Sequence, residues 1–247
     1  MVRARSGLRT VLSAALRFIG VLLVCMLALQ LAFALRVALM VVVDPQSTTF
    51  QRSEAFRLLK KPEPAGWSQQ WVEDARISPL LKRAVIASED AGFVDHDGID
   101  WDAIERAWAR NQAAEAVAER RKAPARLVGG STITQQLAKN LFLSGERTVL
   151  RKAQEAVIAF LLEGMLGKPR ILEIYLNSVE WGEGLFGAEA AARHYFRTGA
   201  DRLGAFQAAR LAVMLPAPKR FERRPESPFL MARAATVAAR MGDVRLP

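Results

Sequence analysis

The chain has 247 residues, 51% of them hydrophobic, and a formal net charge of +10. That length allows one sizeable core, alone or with a membrane segment, and excludes two large domains. One cysteine and two histidines exclude a disulfide framework and a structural zinc site. The charge predicts attraction to anionic surfaces or diphosphates; nucleic acid is a weaker candidate because the basic residues are scattered and form no recognised motif.

The N-terminal region predicts a membrane anchor. From Phe18 to Leu35 the only clearly polar side chain is Gln30, and apolar residues continue to Val43. This run is close to the roughly 20 residues that cross a bilayer. The cations that precede it are Arg3, Arg5, Arg9 and Arg17. Because no cation lies between residues 37 and 51, the positive-inside rule assigns residues 1–17 to the cytoplasm and the chain after residue 44 to the outside.

We therefore expect a cytoplasmic tail over 1–17 and a transmembrane anchor over 18–43. Arg36 lies towards one end of the span, from which its side chain can reach the interface. A cleaved signal peptide is the alternative, but the run is long and lacks a small-x-small site followed by polar sequence. Cys25 falls inside the span, so the exported part has no disulfide.

Residues 44–77 predict a short helix and a proline-containing linker, and residues 78–247 a helical domain. Ser78 and Pro79 are suited to begin a helix that ends near Glu89. Further helices are expected over 101–119, 132–141, 148–165, 171–176, 188–196, 203–214 and 228–241. The basic segment 120–124 is expected to be mobile or to face the membrane. No segment alternates like a convincing strand, so the predicted fold class is mainly α.

The segment from Ser88 to Trp101 gathers acids, a histidine and two glycines directly after an apolar helical run. Gly92 and Gly98 allow a tight reversal and a cleft beside Glu89. A partly desolvated carboxylate there has a raised proton affinity and is suited to act as a general base. The alternative is a solvated acidic turn.

A second group follows Gly129-Gly130-Ser131, where Thr132, Gln136, Lys139 and Asn140 are spaced to share one polar helix face. The helix N-terminus and the lysine together predict an anion site. The alternative is an ordinary solvated face.

Two more groups lie further along the chain. Arg151 and Glu155 are four residues apart, a spacing that also suits a plain intrahelical ion pair. The last group is Tyr175, Asn177, Glu180 and Trp181, beside Gly182, Gly184 and Gly187. It predicts either a sugar-binding loop or a simple change of chain direction.

Taken in order, these segments resemble the four motifs of the peptidoglycan glycosyltransferases. They are Glu89-Asp90-x-x-Phe93-x-x-His96-x-Gly98-x-Asp100, Gly129-Gly130-Ser131-Thr132-Ile133-Thr134-Gln135-Gln136-Leu137-x-Lys139-Asn140, Arg151-Lys152-x-x-Glu155 and Ile171-Leu172-Glu173-x-Tyr175-Leu176-Asn177. The resemblance implies a lysozyme-like helical glycosyltransferase domain over 78–247. The short chain with one anchor and no penicillin-binding module resembles the monofunctional members. Gly167-Lys168 departs from the Ser-Lys that the family often has.

The resemblance also implies the reaction. The family joins lipid II, as acceptor, to a lipid-linked growing glycan, as donor, and makes β-1,4 bonds with inversion and release of polyprenyl diphosphate. Glu89 matches the general base, Glu155 the second essential glutamate, and Lys139 and Arg151 the cations at the diphosphate. Asp90, Phe93 and His96 are then expected to support the base, while Thr132, Gln136 and Asn140 shape the donor side.

The resemblance also implies that the protein is located in the bacterial inner membrane, with the N-terminus in the cytoplasm and the domain in the periplasm. No metal site or required cofactor is expected, and a divalent cation at the diphosphate is left open. Other cell wall synthesis or division proteins are candidate partners. We expect Glu89 to face Lys139 and Arg151 across one groove.

Two alternatives remain from other functional classes. A lysozyme-like enzyme that cleaves peptidoglycan would need a catalytic glutamate but no diphosphate site. A non-catalytic cell wall scaffold would need neither the acidic residues of the first motif nor the cations of the second and third.

Overall fold

The computed structural model describes residues 2–62, 66–121, 124, 129–146 and 148–247. Most of them are helical, which confirms the predicted mainly α fold. The helices are α1 (Val2–Leu39), α2 (Thr49–Leu59), α3 (Pro79–Glu89), α4 (Trp101–Arg121), α5 (Ile133–Phe142), α6 (Val149–Ser178), α7 (Ala188–Phe196), α8 (Ala205–Met214), α9 (Pro218–Phe221) and α10 (Pro228–Arg240). Residues 122 and 123 of the predicted basic segment lie outside the described part of the chain.

Short strands form as well, where none was expected from the sequence. They are β1 (Ser68–Gln69), β2 (Glu180–Gly182) and β3 (Leu185–Phe186), in the order β1-β3-β2. β1 runs parallel to β3, and β2 runs antiparallel to it. Strands of two or three residues are too short to show an alternating pattern, which is why the sequence carries no signal for them.

Helix α3 carries the first acidic motif and begins where the sequence predicts. The Ser78 hydroxyl accepts a hydrogen bond from the Leu80 amide, and Pro79 occupies the first turn. Leu81 and Val85 are fully buried, and the helix packs against α8 and α10. Glu89 is its last helical residue, so the acid lies at a helix end against the core.

Helix α6 is divided at Gly167, which has φ 73° and ψ 160°. Pro169 follows the break, as expected for the end of a helix and the start of another. The helix packs against α5, and both parts contribute to the core, the first through Ile158 and Leu162 and the second through Ile171 and Ile174. The predicted helices over 148–165 and 171–176 are the two parts of this divided helix.

Helix α1 contains the apolar stretch Leu12–Leu39, which is long and apolar enough to cross a membrane, with a mean hydropathy of 2.6. This is consistent with a single-pass anchor. The residues from Leu12 to Leu29 on this helix are exposed, whereas Val37 and, just after the helix, Met40 are buried in the core cluster. The anchor therefore continues directly into the folded domain. The predicted domain boundaries at residues 17, 43 and 77 stay predictions.

Candidate active site

Glu89 lines a cavity of about 560 Å³ at the end of α3. Its carboxylate accepts hydrogen bonds from Gln136 Nε2 at 3.1 Å and from Ser88 Oγ at 3.4 Å. Burial raises the pKa of Glu89, and the charge of Asp90 acts in the same direction, against the lowering effect of the two hydrogen bonds. A carboxylate with a raised pKa beside open space is suited to accept a proton.

A relay from the core holds the Gln136 amide in place. The Tyr175 hydroxyl donates to Gln136 Oε1 at 2.9 Å, so the amide NH₂ points to Glu89. Tyr175 is fully buried, and burial raises its pKa well above the ordinary value, with the charges of Glu89 and Asp90 adding to the effect. The tyrosine therefore stays a hydrogen-bond donor and fixes the orientation of the amide.

Asp90 joins the first motif to the start of α5. Its carboxylate lies 3.0 and 3.1 Å from His96 Nε2 and accepts a hydrogen bond from the Ile133 amide at 2.9 Å. The Gly98 amide donates to His96 Nδ1 at 3.1 Å, which assigns the ring proton to Nε2, facing Asp90. Asp90 is buried, so this aspartate holds the acidic turn against α5.

The N-terminus of α5 differs from the predicted anion site. Thr132 is buried and caps the helix by accepting from the Gln135 amide, while the Ile133 amide is taken by Asp90. Thr132 Oγ1 also donates to the Gly98 carbonyl at 2.6 Å. Asn140 is buried too, so the alternative of an ordinary solvated face does not hold for Thr132 and Asn140. Gln136 and Lys139 are the partly exposed members.

Phe93 is fully buried under the acidic turn. Lys168 Nζ lies 4.5 Å from the centre of its ring and donates to the His96 carbonyl at 2.6 Å. The same ammonium pairs with Glu163 at 2.7 Å. Phe93 and His96 therefore support the turn from beneath, and their role in positioning Glu89 stays a prediction.

Glu155 is buried on α6 between two cations. It accepts from Arg151 Nη1 at 2.6 Å and from Lys152 Nζ. Lys152 Nζ also donates to Ser131 Oγ at 3.0 Å, and Ser131 lines the Glu89 cavity. The sequence analysis did not include Lys152 among the site residues. Its position beside Arg151 and three residues before Glu155 could have indicated that it pairs with this glutamate.

The cavity wall carries cations that the sequence reasoning missed. They are Arg106 and Arg110 from α4, and Arg233 and Arg240 from α10. Their spacing of four and seven residues puts each pair on one helix face, but the sequence alone does not say that these faces meet. Among the described residues that line this cavity, neither Lys139 nor Arg151 is present. The expectation that both share a groove with Glu89 stays a prediction, and the described link from α6 to the cavity runs through Lys152 and Ser131.

The last motif turns the chain and does not bind sugar through exposed rings. Trp181 and Asn177 have no exposed surface. The Asn177 side chain accepts from the Val72 amide and donates to the Val72 carbonyl, both at 2.9 Å. Gly187 has φ +84°, and a Cβ there would lie 2.9 Å from the Asn177 carbonyl oxygen. Of the two readings of this loop, the change of chain direction is the right one.

Residues 57–242 match the family model described as Transglycosylase. The chain belongs to the transglycosylase family. A Bordetella pertussis protein named biosynthetic peptidoglycan transglycosylase is 55% identical over 204 residues, covering 83% of this chain and 82% of that protein. Proteins of the same name from Burkholderia orbicola and Burkholderia thailandensis are 52% and 50% identical, covering 90% and 92% of this chain and 86% of each relative.

Membership in the transglycosylase family confirms the resemblance drawn from the four motifs. The chain is an enzyme, a glycosyltransferase of the class that polymerises glycan for cell wall synthesis. The roles of its individual residues stay predictions.

Proposed function

We propose that this transglycosylase polymerises lipid II into β-1,4 glycan strands, with Glu89 as the general base. The observation that carries the proposal is the placement of this acid: it ends a buried helix, is oriented by Gln136, and opens into a cavity walled by arginines. An acid with raised pKa next to cations suits a reaction between a sugar hydroxyl and a diphosphate-linked sugar.

The proposed chemistry is a single in-line displacement. The acceptor 4-hydroxyl gives its proton to Glu89 while its oxygen forms a bond to C1 of the donor sugar. The bond from C1 to the diphosphate oxygen breaks, and its electron pair leaves with the polyprenyl diphosphate. Attack opposite the leaving group converts the α donor linkage to a β product linkage, and no covalent glycosyl-enzyme is needed.

The departing diphosphate gains negative charge and needs cations. Arg151 and Lys152 are held by Glu155 at the edge of the site, and Lys139 lies one helical turn after Gln136 on α5. We assign these three cations to the donor diphosphate and Glu155 to their positioning. The arginines on α4 and α10 wall the cavity beside Glu89, and we assign them to the acceptor diphosphate.

The finer location of the enzyme is part of the same proposal. Both substrates keep their lipids in the membrane, so a domain on a single-pass anchor meets them at the bilayer surface. The four arginines before the span support an N-terminus in the cytoplasm and a domain on the periplasmic side of the bacterial inner membrane. We propose that no cofactor is required; polymerisation with and without a chelator tests whether a divalent cation assists at the diphosphate.

The base is tested with Glu89→Gln in the detergent-solubilised full chain. The amide retains the shape of the side chain and cannot take the proton, so polymerisation from lipid II should fall by about 10²- to 10⁴-fold. Glu115→Gln, at an exposed position on α4, is the matched control and should retain full turnover. Near-normal turnover of Glu89→Gln would rule out this assignment.

The same preparation distinguishes synthesis from lysis. Incubation with purified glycan strands should release no short fragments, whereas lipid II should be consumed. Fragment release, or failure to consume lipid II, would contradict the proposal.

A further inference from the structure

Gln30 is the one clearly polar side chain between Phe18 and Leu35 in the anchor. Its Nε2 donates to Gln154 Oε1 at 2.8 Å, and Gln154 Nε2 donates back to Gln30 Oε1 at 3.0 Å. An amide in hydrocarbon is costly unless its oxygen and nitrogen are both hydrogen-bonded, and this reciprocal pair satisfies both. The anchor is therefore bound to α6 at a specific point within its apolar span.

Further contacts extend this attachment towards the end of the anchor. The Phe33 ring meets Phe142 edge to face, with centroids 5.3 Å apart. Val37 is fully buried, and Arg170 Nε donates to the Met40 carbonyl at 2.9 Å. Helix α1 thus contacts the end of α5 and packs along α6. Among these contacts between described residues, the Gln30–Gln154 pair lies furthest towards the middle of the span.

Gln154 lies in the same helical turns as the charged cluster of α6. Arg151 is three residues before it and Glu155 directly follows it, so their side chains project from the helix at angles fixed relative to the amide. A rotation of the helix that broke the amide pair would also turn Arg151, Lys152 and Glu155, and would change the contact of Lys152 with Ser131.

The first part of α6 packs in the core through Ile158, Ala159 and Leu162, and the Gln30–Gln154 pair lies closer to its N-terminal end, next to the charged cluster. Its outer face is exposed, including Val149, Leu150 and Phe160 at 89%, 82% and 49%. The helix packs on α5 and on the anchor, and Ala159 and Glu163 of its first part also lie close to Gly98 of the acidic turn. Contacts from α1 therefore help decide how this part is rotated.

We infer that Gln30 is a positioning residue for the transfer reaction. Through its paired amide with Gln154 it holds the first part of α6 in the rotation that presents Arg151 and Lys152 to the donor diphosphate. The inference rests on the proposed function of those two cations. It assigns to the anchor a part in donor binding beyond attachment to the membrane.

The test measures polymerisation by the full chain in detergent, with lipid II as acceptor and a lipid-linked tetrasaccharide as donor, each titrated separately. Gln30→Leu retains most of the side-chain volume and the apolar character of the span but removes the amide. It should raise KM for the donor about 5- to 10-fold and leave KM for the acceptor within about twofold. The acid limb of the pH–rate profile, which reports Glu89, should not move.

A double-mutant cycle separates the pair from a general loss of packing. Gln154→Leu should match Gln30→Leu, and the double variant should cost no more than either single change. Gln30→Asn retains an amide on a shorter side chain and should give an intermediate donor KM. Ala28→Leu adds apolar volume at an exposed position of the span and should leave donor KM unchanged.

Two results distinguish failure of this inference from failure of the proposed function. If Arg151→Ala raises donor KM while Gln30→Leu and Gln30→Asn do not, the inference is overturned and the cation assignment stands. If Arg151→Ala and Lys152→Ala both leave donor KM unchanged, the cation assignment is wrong and the inference falls with it. Additive effects of Gln30→Leu and Gln154→Leu would also overturn it.

Discussion

Glu180, at the start of β2, is a buried acid that the transfer reaction does not use. Burial raises its pKa to about 7, and the Glu54 charge adds to this against the opposing effect of Lys219, 3.3 Å away. Since the folded-state pKa exceeds the ordinary 4.5, stability falls as pH rises from about 4.5 to 7. Glu180→Gln should therefore stabilise the protein by roughly 1 to 3 kcal/mol at pH 8.5 and by much less at pH 5. Thermal melting of the solubilised chain at both pH values measures this.

Glu183 provides the control on the same hairpin. Hydrogen bonds from Lys61 and Arg57 lower its pKa to about 2, so it stays ionised in the folded protein across this pH range. Glu183→Gln should therefore give no gain in stability that is larger at pH 8.5 than at pH 5. An equal effect of Glu180→Gln at both pH values would contradict the assigned cause.

Individual residues show which parts of the site could be predicted from the sequence. The position of Glu89 at a helix end followed from the local Ser78-Pro79 start and from apolar spacing. The burial of Phe93 and Asn140 could not be predicted from the sequence, because it depends on which distant helices cover them. The wall arginines were missed for the same reason: α4 and α10 lie more than 100 residues apart in sequence and meet only in the fold.

Among the elements, α6 is the one whose shape depends most on a single backbone position. Gly167 has φ 73° and ψ 160°, a region that is essentially restricted to glycine. Gly167→Ala should therefore destabilise the protein by about 1 to 3 kcal/mol. It should also disturb Lys168, whose ammonium contacts the His96 carbonyl. Melting temperature and lipid II turnover should fall together.

Gly164 is the matched position on the same helix. It has helical geometry, and a Cβ there would meet nothing within 4 Å. Gly164→Ala should be neutral or stabilise the protein by up to about 1 kcal/mol. If both alanine variants melted alike, the break at Gly167 would not be required by its backbone conformation. The sequence located this break correctly from Gly167 and Pro169, whereas the β2–β3 hairpin was read as a loop because its strands are too short to show a period.

At the scale of the whole molecule, the anchor and the domain form a continuous packed structure. Hydropathy predicted the long apolar helix because hydropathy is a local property of the chain. It did not predict that the same helix packs on α6, since lipid-facing and protein-facing apolar side chains look alike in sequence. Arg170 shows how specific this junction is: its guanidinium contacts the Met40 carbonyl, Asp44 and Glu173 within 2.9 Å.

This junction predicts different outcomes for the same substitution at two neighbouring valines. Val37 has no exposed surface and packs in the core, whereas Val42 is 79% exposed. Val37→Ala removes two buried methyl groups and leaves a cavity, so it should cost about 1 to 3 kcal/mol. For a chain of this size that lowers the melting temperature by about 2 to 4 °C per kcal/mol. Val42→Ala leaves the packed surface intact and should change the melting temperature by less than about 2 °C. Equal melting of the two variants in the same detergent would mean that packing of the anchor at residue 37 contributes no stability to the domain, because Val37 is buried and Val42 is not.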